Sequence, residues 1–524
     1  MSIKSTKTAF LIGGAIVFNL VFWNEKLGLN TAFFDALIII GILSFYPDSR
    51  KRSVVLWLLA AHLLCLGAVL FHNTTLSKFG LIATLILFAG FAQYYHRSLW
   101  YAGGSMLLNL ILLPASMTEL LQRSGATKRK NMVLRKAFRF AIVPLLLLGL
   151  FTMLYSFGNN IFSEWTTNIG TAINKFFNSI FANFSWPRFF FFLLGLGLAG
   201  FFLLKSNSNY FSNVESKSTD ELSRKKLSLK ERLRVGGRQL TLTLMGKLAK
   251  GNMAIKNLNL VGIISLVLLN LLLLVINIID VSNIWFNPGY VKNSNLYNLI
   301  HEGTDLLIFS IVLAMLVLLI FFKGNLNFYQ RNKWLKYGAY AWIIQNSILV
   351  ISVLLRDYYY IRDAGLAYKR IGVLFFLALV LFGLITVFIK IRWKKTNYYL
   401  MRVNAWAVIV LLVGSTMVNW DEYIARYNIA HKETTPIDVD FMASLGNKAL
   451  PILDRHIDDL KKHGVLLEER GFRRSSCADC WLQKLKSNKE NYLLEQNRYS
   501  WLSWNYADQQ VKEYFSEKER KSNK

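Results

Sequence analysis

Several features that are common in soluble proteins are scarce in this sequence. Only 18% of its 524 residues are charged, and it has seven prolines and three cysteines. Apolar residues make up 54% and aromatic residues 14%, and the mean hydropathy is +0.33. A soluble domain does not usually have this composition. Short alternating segments and a Walker A sequence are also absent, which argues against a transmembrane β-barrel and against ATP hydrolysis by this chain.

Long apolar runs recur along the chain, and each approaches the ~20 residues that a helix needs to cross a hydrocarbon core. Backbone N–H and C=O groups in lipid must pair within their own segment, so these runs are expected to be helical. We predict an all-α fold: a polytopic α-helical membrane protein with about twelve (11–12) transmembrane helices and a small helical extracytoplasmic C-terminal region. The predicted spans are 8–24, 29–46, 53–71, 77–95, 99–121, 139–157, 187–205, 257–280, 304–322, 337–355, 371–391 and 403–420.

The positive charge lies mostly in short loops between these spans. The net charge is +30, yet residues 421–524 hold 18 basic and 17 acidic groups, so almost all of the excess belongs to the first 420 residues. Basic loops mark the cytoplasmic side and bind anionic lipid head groups, which explains the charge without a nucleic-acid partner. The cytoplasmic loops are 123–139, 224–238, 323–336 and 390–402, and the segments between them, with everything after 420, should be extracytoplasmic.

The same rule does not settle the N-terminal half. Arg50, Lys51 and Arg52 and the basic loop 123–139 should both face the cytoplasm, but three predicted spans lie between them. An even number is required. Either span 99–121, which contains Pro114, is re-entrant, or another segment does not cross, or the residues 50–52 lie outside.

The sequence is expected to divide into five regions. An amphipathic helix near 163–186 should lie on the outer membrane surface or, alternatively, pack as a soluble helix on the C-terminal region. The C-terminal region is charge-balanced and could bind a protein partner. The regions are N-terminal transmembrane helices in 1–122, further transmembrane helices with the amphipathic helix in 123–205, a basic cytoplasmic loop in 206–256, a transmembrane core in 257–420 and the C-terminal region in 421–524.

Three short motifs resemble known sites but lack the required context. The string 195-GLGLAG-200 matches a dinucleotide-binding fingerprint, but no strand precedes it, and close helix packing is the better interpretation. The string 301-HEGTD-305 begins like a zinc-protease motif, yet Asp305 replaces the second histidine, and a helix start with acidic first-turn residues is the alternative. Cys477 and Cys480 form a single C-x-x-C, for which we predict a disulfide outside the cytoplasm. We identify no catalytic residue, metal site or cofactor.

Polar side chains inside the spans are informative because they are costly in lipid. Asn270 and Asn277 lie seven residues apart on one face of span 257–280, and Gln345 and Asn346 lie in the middle of span 337–355. We expect these amides to hydrogen-bond between helices. The alternative is that they line a transport pathway.

Another group of ionisable side chains should lie at the outer ends of helices, where it can form a polar vestibule. Three of its basic residues oppose the positive-inside rule, so carboxylates are expected to compensate them. Structural ion pairs are the preferred interpretation, and a site for an anionic head group or substrate is the second. The group consists of Asp280, His301, Glu302, Asp305, Arg356, Asp357, Arg362, Asp363, Lys369 and Arg370.

Five long motifs occur in order along the chain: 254-AIKNLNLVGIISLVLLNLLLLVINIIDVSNIWF-286, 323-KGNLNFYQRNKWLKYGAYAWIIQNSILV-350, 356-RDYYYIRDAGLAYKRIGV-373, 419-NWDEYIARYNI-429 and 501-WLSWNYAD-508. Together they resemble an uncharacterised family of bacterial multi-pass inner-membrane proteins, domain of unknown function forty-one seventy-three, related to forty-one fifty-three. The resemblance covers roughly residues 130–510 and implies a bacterial inner (cytoplasmic) membrane protein, but no reaction and no catalytic residue. The basic loops, and not the resemblance, predict that its C-terminus is periplasmic.

Three classes of function fit this sequence. The first is a non-enzymatic envelope scaffold or partner-binding component, which needs no catalytic constellation. The second is a transporter of a small or anionic solute, which would use the intramembrane amides. The third is a lipid-linked glycosyl or acyl transferase, supported by its layout alone; its base would be Glu25, Glu302 or Asp305. We favour the scaffold.

Overall fold

The computed structural model describes residues 3–121, 141, 144, 147–153, 155–180, 185–224, 254–286, 296–322, 325–465 and 480–522. The chain forms two compact units. The first comprises Met1–Glu25, Ala32–Pro47 and Leu107–Ser208, and the second comprises Lys26–Thr31, Asp48–Met106 and Asn209–Lys524. The described residues are overwhelmingly helical, and their strands form a single parallel pair, as the all-α prediction requires.

The helices of the membrane-like part follow the apolar runs closely. They are α1 (Ile3–Phe22), α2 (Leu29–Phe45), α3 (Ser53–Phe71), α4 (Thr75–Gln93), α5 (Leu99–Leu121), α6 (Asn160–Ile180), α7 (Trp186–Leu203), α8 (Tyr210–Ser216), α9 (Ala254–Asp280, continued by a π-helical turn Val281–Trp285), α10 (Leu296–Phe321), α11 (Lys333–Ala364), α12 (Tyr368–Arg392) and α13 (Asn397–Thr416).

Nine described helices are long and apolar enough to cross a membrane, and each coincides with a predicted span: α1, α3, α4, α5, α7, α9, α11, α12 and α13. Three shorter apolar helices, Leu29–Phe45, Leu147–Gly158 and Leu306–Phe321, overlap the remaining three predicted spans. The chain is therefore helical with several membrane-spanning segments, while the number of twelve crossings stays a prediction.

In the first unit, α1 and α7 pack closely because small residues lie at their contact. A Cβ on Gly195 would stand 2.7 Å from the ring of Phe18, and a Cβ on Gly14 would stand 2.9 Å from the Ala199 methyl. A larger side chain at either glycine would push the helices apart. The string 195-GLGLAG-200 is thus a helix-packing surface inside α7.

In the second unit, α11 is the central helix of the membrane-like part and packs against α9, α10 and α12. The side chains between these helices are aliphatic and fully buried, as Leu266, Ile311, Val350 and Leu377 show. The helices α3 and α4 pack as a pair and contact α13. Burial of this kind stabilises helix contacts mainly through dispersion and shape fit, because lipid is as apolar as the side chains.

The charged stretch 353–373 is helical over most of its length. The apolar run of α11 predicted a span ending at 355, but the helix continues through the charged residues to Ala364, and α12 begins at Tyr368. Only the short turn between them is non-helical. Gly365 adopts a φ of +79° there, which favours glycine. Asn428 fixes the turn, since its Oδ1 accepts from the Leu366 N–H at 2.6 Å and its Nδ2 donates to the Leu366 C=O at 3.0 Å.

The C-terminal region is a small helical unit around its own core. Its elements are α14 (Trp420–Ala430), β1 (Ile437–Asp438), α15 (Val439–Met442), α16 (Leu450–Arg455), α17 (Ile457–His463), β2 (Gly464–Val465), α18 (Cys480–Gln496) and α19 (Tyr506–Ser522). Ile437 pairs with Gly464 in the β1–β2 register. The core includes Ile424, Leu453 and Phe515 and also Ile361 at the end of α11. The C-terminal region therefore shares its hydrophobic core with the end of α11.

Candidate functional site

The predicted charged group at the helix ends is engaged in separate contacts. Arg356 on α11 forms a buried ion pair with Asp280 at the end of α9, at 2.6 Å. Arg362 pairs with the adjacent Asp363 at 2.7 Å. Arg370 donates to the C=O groups of Ala364 and Gly365 and so caps the end of α11. These charges are therefore compensated locally, and the vestibule formed by the whole group stays a prediction.

The other predicted members of the group differ in environment. Asp357 is 4% exposed, and its Oδ2 has no hydrogen-bond partner among the described residues. Lys369 is exposed. His301, Glu302 and Asp305 belong to α10, and their side chains lie outside the described part of the structure.

Amides join α9 to α11 in a polar seam, defined here as Asn270, Asn277 and Gln345. Asn270 accepts from Gln345 Nε2 at 2.9 Å and donates to the Gly338 C=O at 3.0 Å. Asn277 donates to the Gln345 C=O at 3.1 Å. Asn346, predicted with them, donates instead to the Trp342 C=O of its own helix. The seam thus holds two helices together through hydrogen bonds.

The seam and the nearby Asp280 contain oxygens without partners among the described residues. Asn277 Oδ1, Gln345 Oε1 and Asp280 Oδ2 are buried and accept no hydrogen bond from the described residues. Buried polar atoms normally find a partner. All three are acceptors, so a water molecule, a proton or a cation is the chemistry that would satisfy them.

A second polar cluster was not predicted, because the sequence placed 206–256 in a loop. Glu215 on α8 is 3% exposed and accepts from the N–H groups of Arg97 and Ser98, at 3.1 and 2.7 Å, and from Tyr398 Oη at 2.5 Å. Its other oxygen lies 2.7 Å from His96 Nδ1. Burial by itself raises the pKa of Glu215, but these hydrogen bonds outweigh it and hold the pKa below its ordinary value.

The His96 ring also lies 2.7 Å from Ser105 through its Nε2. The order hydroxyl, imidazole, carboxylate is that of an activated serine nucleophile. However, the His96 side chain has no exposed surface, and Ser105 is only 4% exposed. A substrate has no access to this hydroxyl, so the arrangement satisfies a buried histidine and ties α8 to the start of α5.

In the C-terminal region a single buried carboxylate collects four partners, which we call the Asp508 node. Asp508 pairs with Lys26 at 2.5 Å and with Lys448. It also accepts from Tyr492 Oη at 2.9 Å and from Asn505 Nδ2 at 2.7 Å. Lys26 lies between α1 and α2, so the node fastens the loop 26–31 to the start of α19.

One carboxylate can neutralise only one of the two ammonium groups fully. Burial, together with the nearby Lys26 and Lys78, lowers the pKa of Lys448 to about 7, although Asp421 and Glu495 oppose this shift. Burial likewise lowers the pKa of Lys26 to about 8. Lys448 is therefore a strongly desolvated amine, and an anion that approaches it would favour its charged form.

Next to this node lies a pocket of about 320 Å³ between α14, α16 and α19. Its polar wall carries three basic and three acidic side chains: Arg426, Lys448, Arg455, Glu422, Glu513 and Glu517. Asn419 also lines it; this residue is 8% exposed, and its Oδ1 has no partner among the described residues. A neighbouring pocket of about 320 Å³ shares Arg426, Ile452 and Arg455 with the first. Charge of both signs and a free buried acceptor make this the best described candidate for ligand binding.

The remaining motifs contribute no site within the described residues. Cys480 begins α18, whereas Cys477 lies outside the described part of the chain, so their disulfide stays a prediction. No group of three or more His, Cys, Asp or Glu that could hold a metal ion occurs among the described side chains.

Comparison with known proteins gives a family but no activity. No curated protein and no solved structure matches the chain. The model of a domain of unknown function, DUF4153, matches residues 35–456 and thus most of the chain. This is the second of the two related families expected from the motifs, and membership of the first stays a prediction. The chain belongs to the DUF4153 family of unknown function.

Proposed function

We propose that this protein is a non-enzymatic component of the bacterial cell envelope, embedded in the inner membrane, that binds a partner through a periplasmic C-terminal region. The observation that carries the proposal is the shared core of that region and the helix ends. Ile361 of α11 and Ile371 of α12 belong to the same buried cluster as Ile424 and Leu453. A tail built into the helix ends presents a rigid surface, which suits binding.

The sidedness rests on which loops the C-terminal region contacts. The Leu29 N–H donates to the Trp504 C=O at 2.9 Å, and Thr435 Oγ1 donates to the Arg362 C=O at 2.6 Å. His72 Nε2 lies 3.0 Å from the Met417 C=O. The loops at 26–31, 72–74 and 365–367 therefore share one side. Each is one crossing away from a basic loop, so this side is the periplasm and the residues 50–52 face the cytoplasm.

The re-entrant alternative for span 99–121 satisfies the positive-inside rule. In the first unit Asn109 of α5 donates to the Phe201 and Leu204 C=O groups, and Glu119 accepts from Asn207 at 2.7 Å. A re-entrant α5 would leave eleven crossings and would keep residues 123–139 on the same side as residues 50–52, as their basic charge requires.

Cysteine labelling tests the sidedness. We expect Ser516→Cys to react with a membrane-impermeant maleimide in intact spheroplasts, and Glu221→Cys to react only after lysis. Both positions are exposed. The host chain carries Cys477→Ser and Cys480→Ser, and the remaining cysteine, Cys65, is buried. Labelling of position 221 in intact spheroplasts would overturn the orientation.

Cross-linking of the full chain in native membranes tests partner binding. Large exposed apolar side chains of the C-terminal region, Leu494 at 64% and Trp501 at 65% exposure, fit the anchor residues of an interface. We expect cross-links from this region to one stoichiometric partner, lost in the Leu494→Ser, Trp501→Ala variant and kept in the Lys486→Ala control. Equal cross-linking of both variants, or none from this region, would contradict the proposal.

A specific observation favours transport as the second candidate function. The acceptors without partners in the seam, together with Asp357, are what a pathway for protons or small cations needs. Liposomes containing the protein and a pH-sensitive dye measure such a flux. Flux that Asn277→Leu abolishes would support transport, and an unchanged proton leak would exclude it. The transferase class has no supporting contact among the described residues.

A further inference from the structure

The pocket between α14, α16 and α19 is built by one side of each helix. Asn419, Glu422 and Arg426 are spaced three and four residues apart at the start and along the length of α14. Pro451 and Arg455 are four apart on α16. Residues at these spacings lie on one helix face. Three helix faces therefore meet at a concave surface with fixed side-chain positions.

The basic side chains of this pocket are not equally free. Arg426 pairs with Glu422 at 2.6 Å, and Lys448 pairs with Asp508. The guanidinium of Arg455 lies over the ring of Tyr514, 4.7 Å from its centroid, and forms no ion pair with the described residues. Stacking orients a guanidinium while leaving its edge N–H groups able to donate. Arg455 is thus positioned to bind an anionic group, and Lys448 lines the same pocket.

The acceptors of the pocket require a donor. Asn419 is buried, its Nδ2 donates to Glu422 at 3.3 Å, and its Oδ1 accepts nothing from the described residues. A ligand N–H that reaches this oxygen would satisfy it. Glu513 and Glu517 add negative charge on the α19 side of the same pocket. A primary ammonium satisfies both requirements, whereas a quaternary ammonium has no N–H to donate.

The size limits the ligand further. A volume of about 320 Å³ lies at the lower end of the ~300–1,000 Å³ range of ligand pockets. We propose that this pocket binds a small zwitterion with a phosphate or carboxylate for Arg455 and a primary ammonium for Asn419. Ile429, Ala430 and Ile452 of the adjoining pocket can accept a short aliphatic group. The inference gives a ligand class to the C-terminal region and so rests on the proposed function.

Calorimetric titration of the full chain, in nanodiscs made of phosphatidylglycerol alone, tests this proposal. The probes are O-phosphoethanolamine and alanyl-alanine, and the matched control is phosphocholine, which has no N–H. We expect at least one probe to bind, and phosphocholine to bind at least tenfold more weakly. The Arg455→Ala variant should lose the signal and the exposed Arg520→Ala variant on α19 should keep it. Thermal unfolding of both variants shows whether they are folded.

Three results would overturn the inference. These are no binding of either probe to the folded chain, equal binding of phosphocholine, and unchanged binding by both Arg455→Ala and Glu517→Gln. Nanodiscs that contain phosphatidylethanolamine separate two sources of the same chemistry. They should block phosphoethanolamine if the pocket takes a lipid head group, and leave it unchanged if the pocket takes a free solute. An Arg455→Ala variant that binds no zwitterion but still cross-links to the partner would show that zwitterion binding and partner binding are separate properties. Failure of one proposal would then not imply failure of the other.

Discussion

Substitution of Asp508 by asparagine should destabilise the C-terminal region strongly. The side chain is 7% exposed and is shared by two ammonium groups that are 20% (Lys26) and 13% (Lys448) exposed. Asparagine keeps the shape but replaces one acceptor oxygen by an NH2 donor, and it removes the only charge directly bonded to both lysines. Loss of one partner from a buried ion pair costs about 3–5 kcal/mol, because the other charge stays buried. Tyr492→Phe removes one neutral donor and should cost only about 0.5–1.5 kcal/mol.

Native-state proteolysis of the purified full chain measures this difference. When the region opens and closes faster than it is cut, the cleavage rate follows the population of the open form. Since about 1.4 kcal/mol corresponds to a factor of ten, Asp508→Asn should speed cleavage within residues 420–522 by about 100- to 4,000-fold, and Tyr492→Phe by about two- to tenfold. Adding Lys26→Met to Asp508→Asn removes one stranded charge and should recover part of the loss. Equal cleavage of the two single variants would refute the argument that charge, and not hydrogen bonding, holds the node.

Three further predictions follow from individual contacts. Glu215→Gln should destabilise the chain near neutral pH. The folded pKa of Glu215 lies below the ordinary value of 4.5, so the stabilisation by the Glu215 carboxylate is present above that value and is lost as the pH falls through the folded pKa. The stability of the variant should therefore depend less on pH in the acid range than that of the native chain. Gly195→Ala should lower the unfolding temperature by forcing α1 from α7, while Gly197→Ala, with open space around its Cβ, should not. Gly365→Ala should cost about 1–2 kcal/mol because its φ is +79° and its Cβ would lie 2.8 Å from Asn428, whereas exposed Gly372→Ala on α12 should be neutral or stabilising in the same thermal assay.

The helices were predictable because crossing a membrane demands about 20 consecutive apolar residues, a signal carried within each segment. The end of α11 was not, because Arg356 and Asp363 are compatible with a helix as soon as they lie beyond the hydrocarbon. Their helical continuation depends on the turn at Gly365 and on Asn428, more than sixty residues away. A charge pattern alone cannot report such a distant partner.

The polar clusters were hidden for the same reason. His96 and Glu215 are 119 residues apart, and the polar stretch around Glu215 reads as a loop until its partners are known. The pocket draws its wall from α14, α16 and α19, none of which contains a recognisable site motif. The amides of the seam were predictable, in contrast, because a polar residue in an apolar span is conspicuous by itself.

The Arg356–Asp280 ion pair bears on the choice between the two leading functions. It closes the end of the seam, and its side chains are 12% and 6% exposed. A transport pathway that followed the seam past this pair would have to open it and leave two charges without partners in a poorly hydrated site, at a cost of several kcal/mol. A binding protein has no such requirement, and for it the closed pair simply fixes α9 to α11 beneath the C-terminal region. Transport along the seam would therefore carry a free-energy cost that partner binding does not. For this reason we favour the surface and the pocket of the C-terminal region as the place of function.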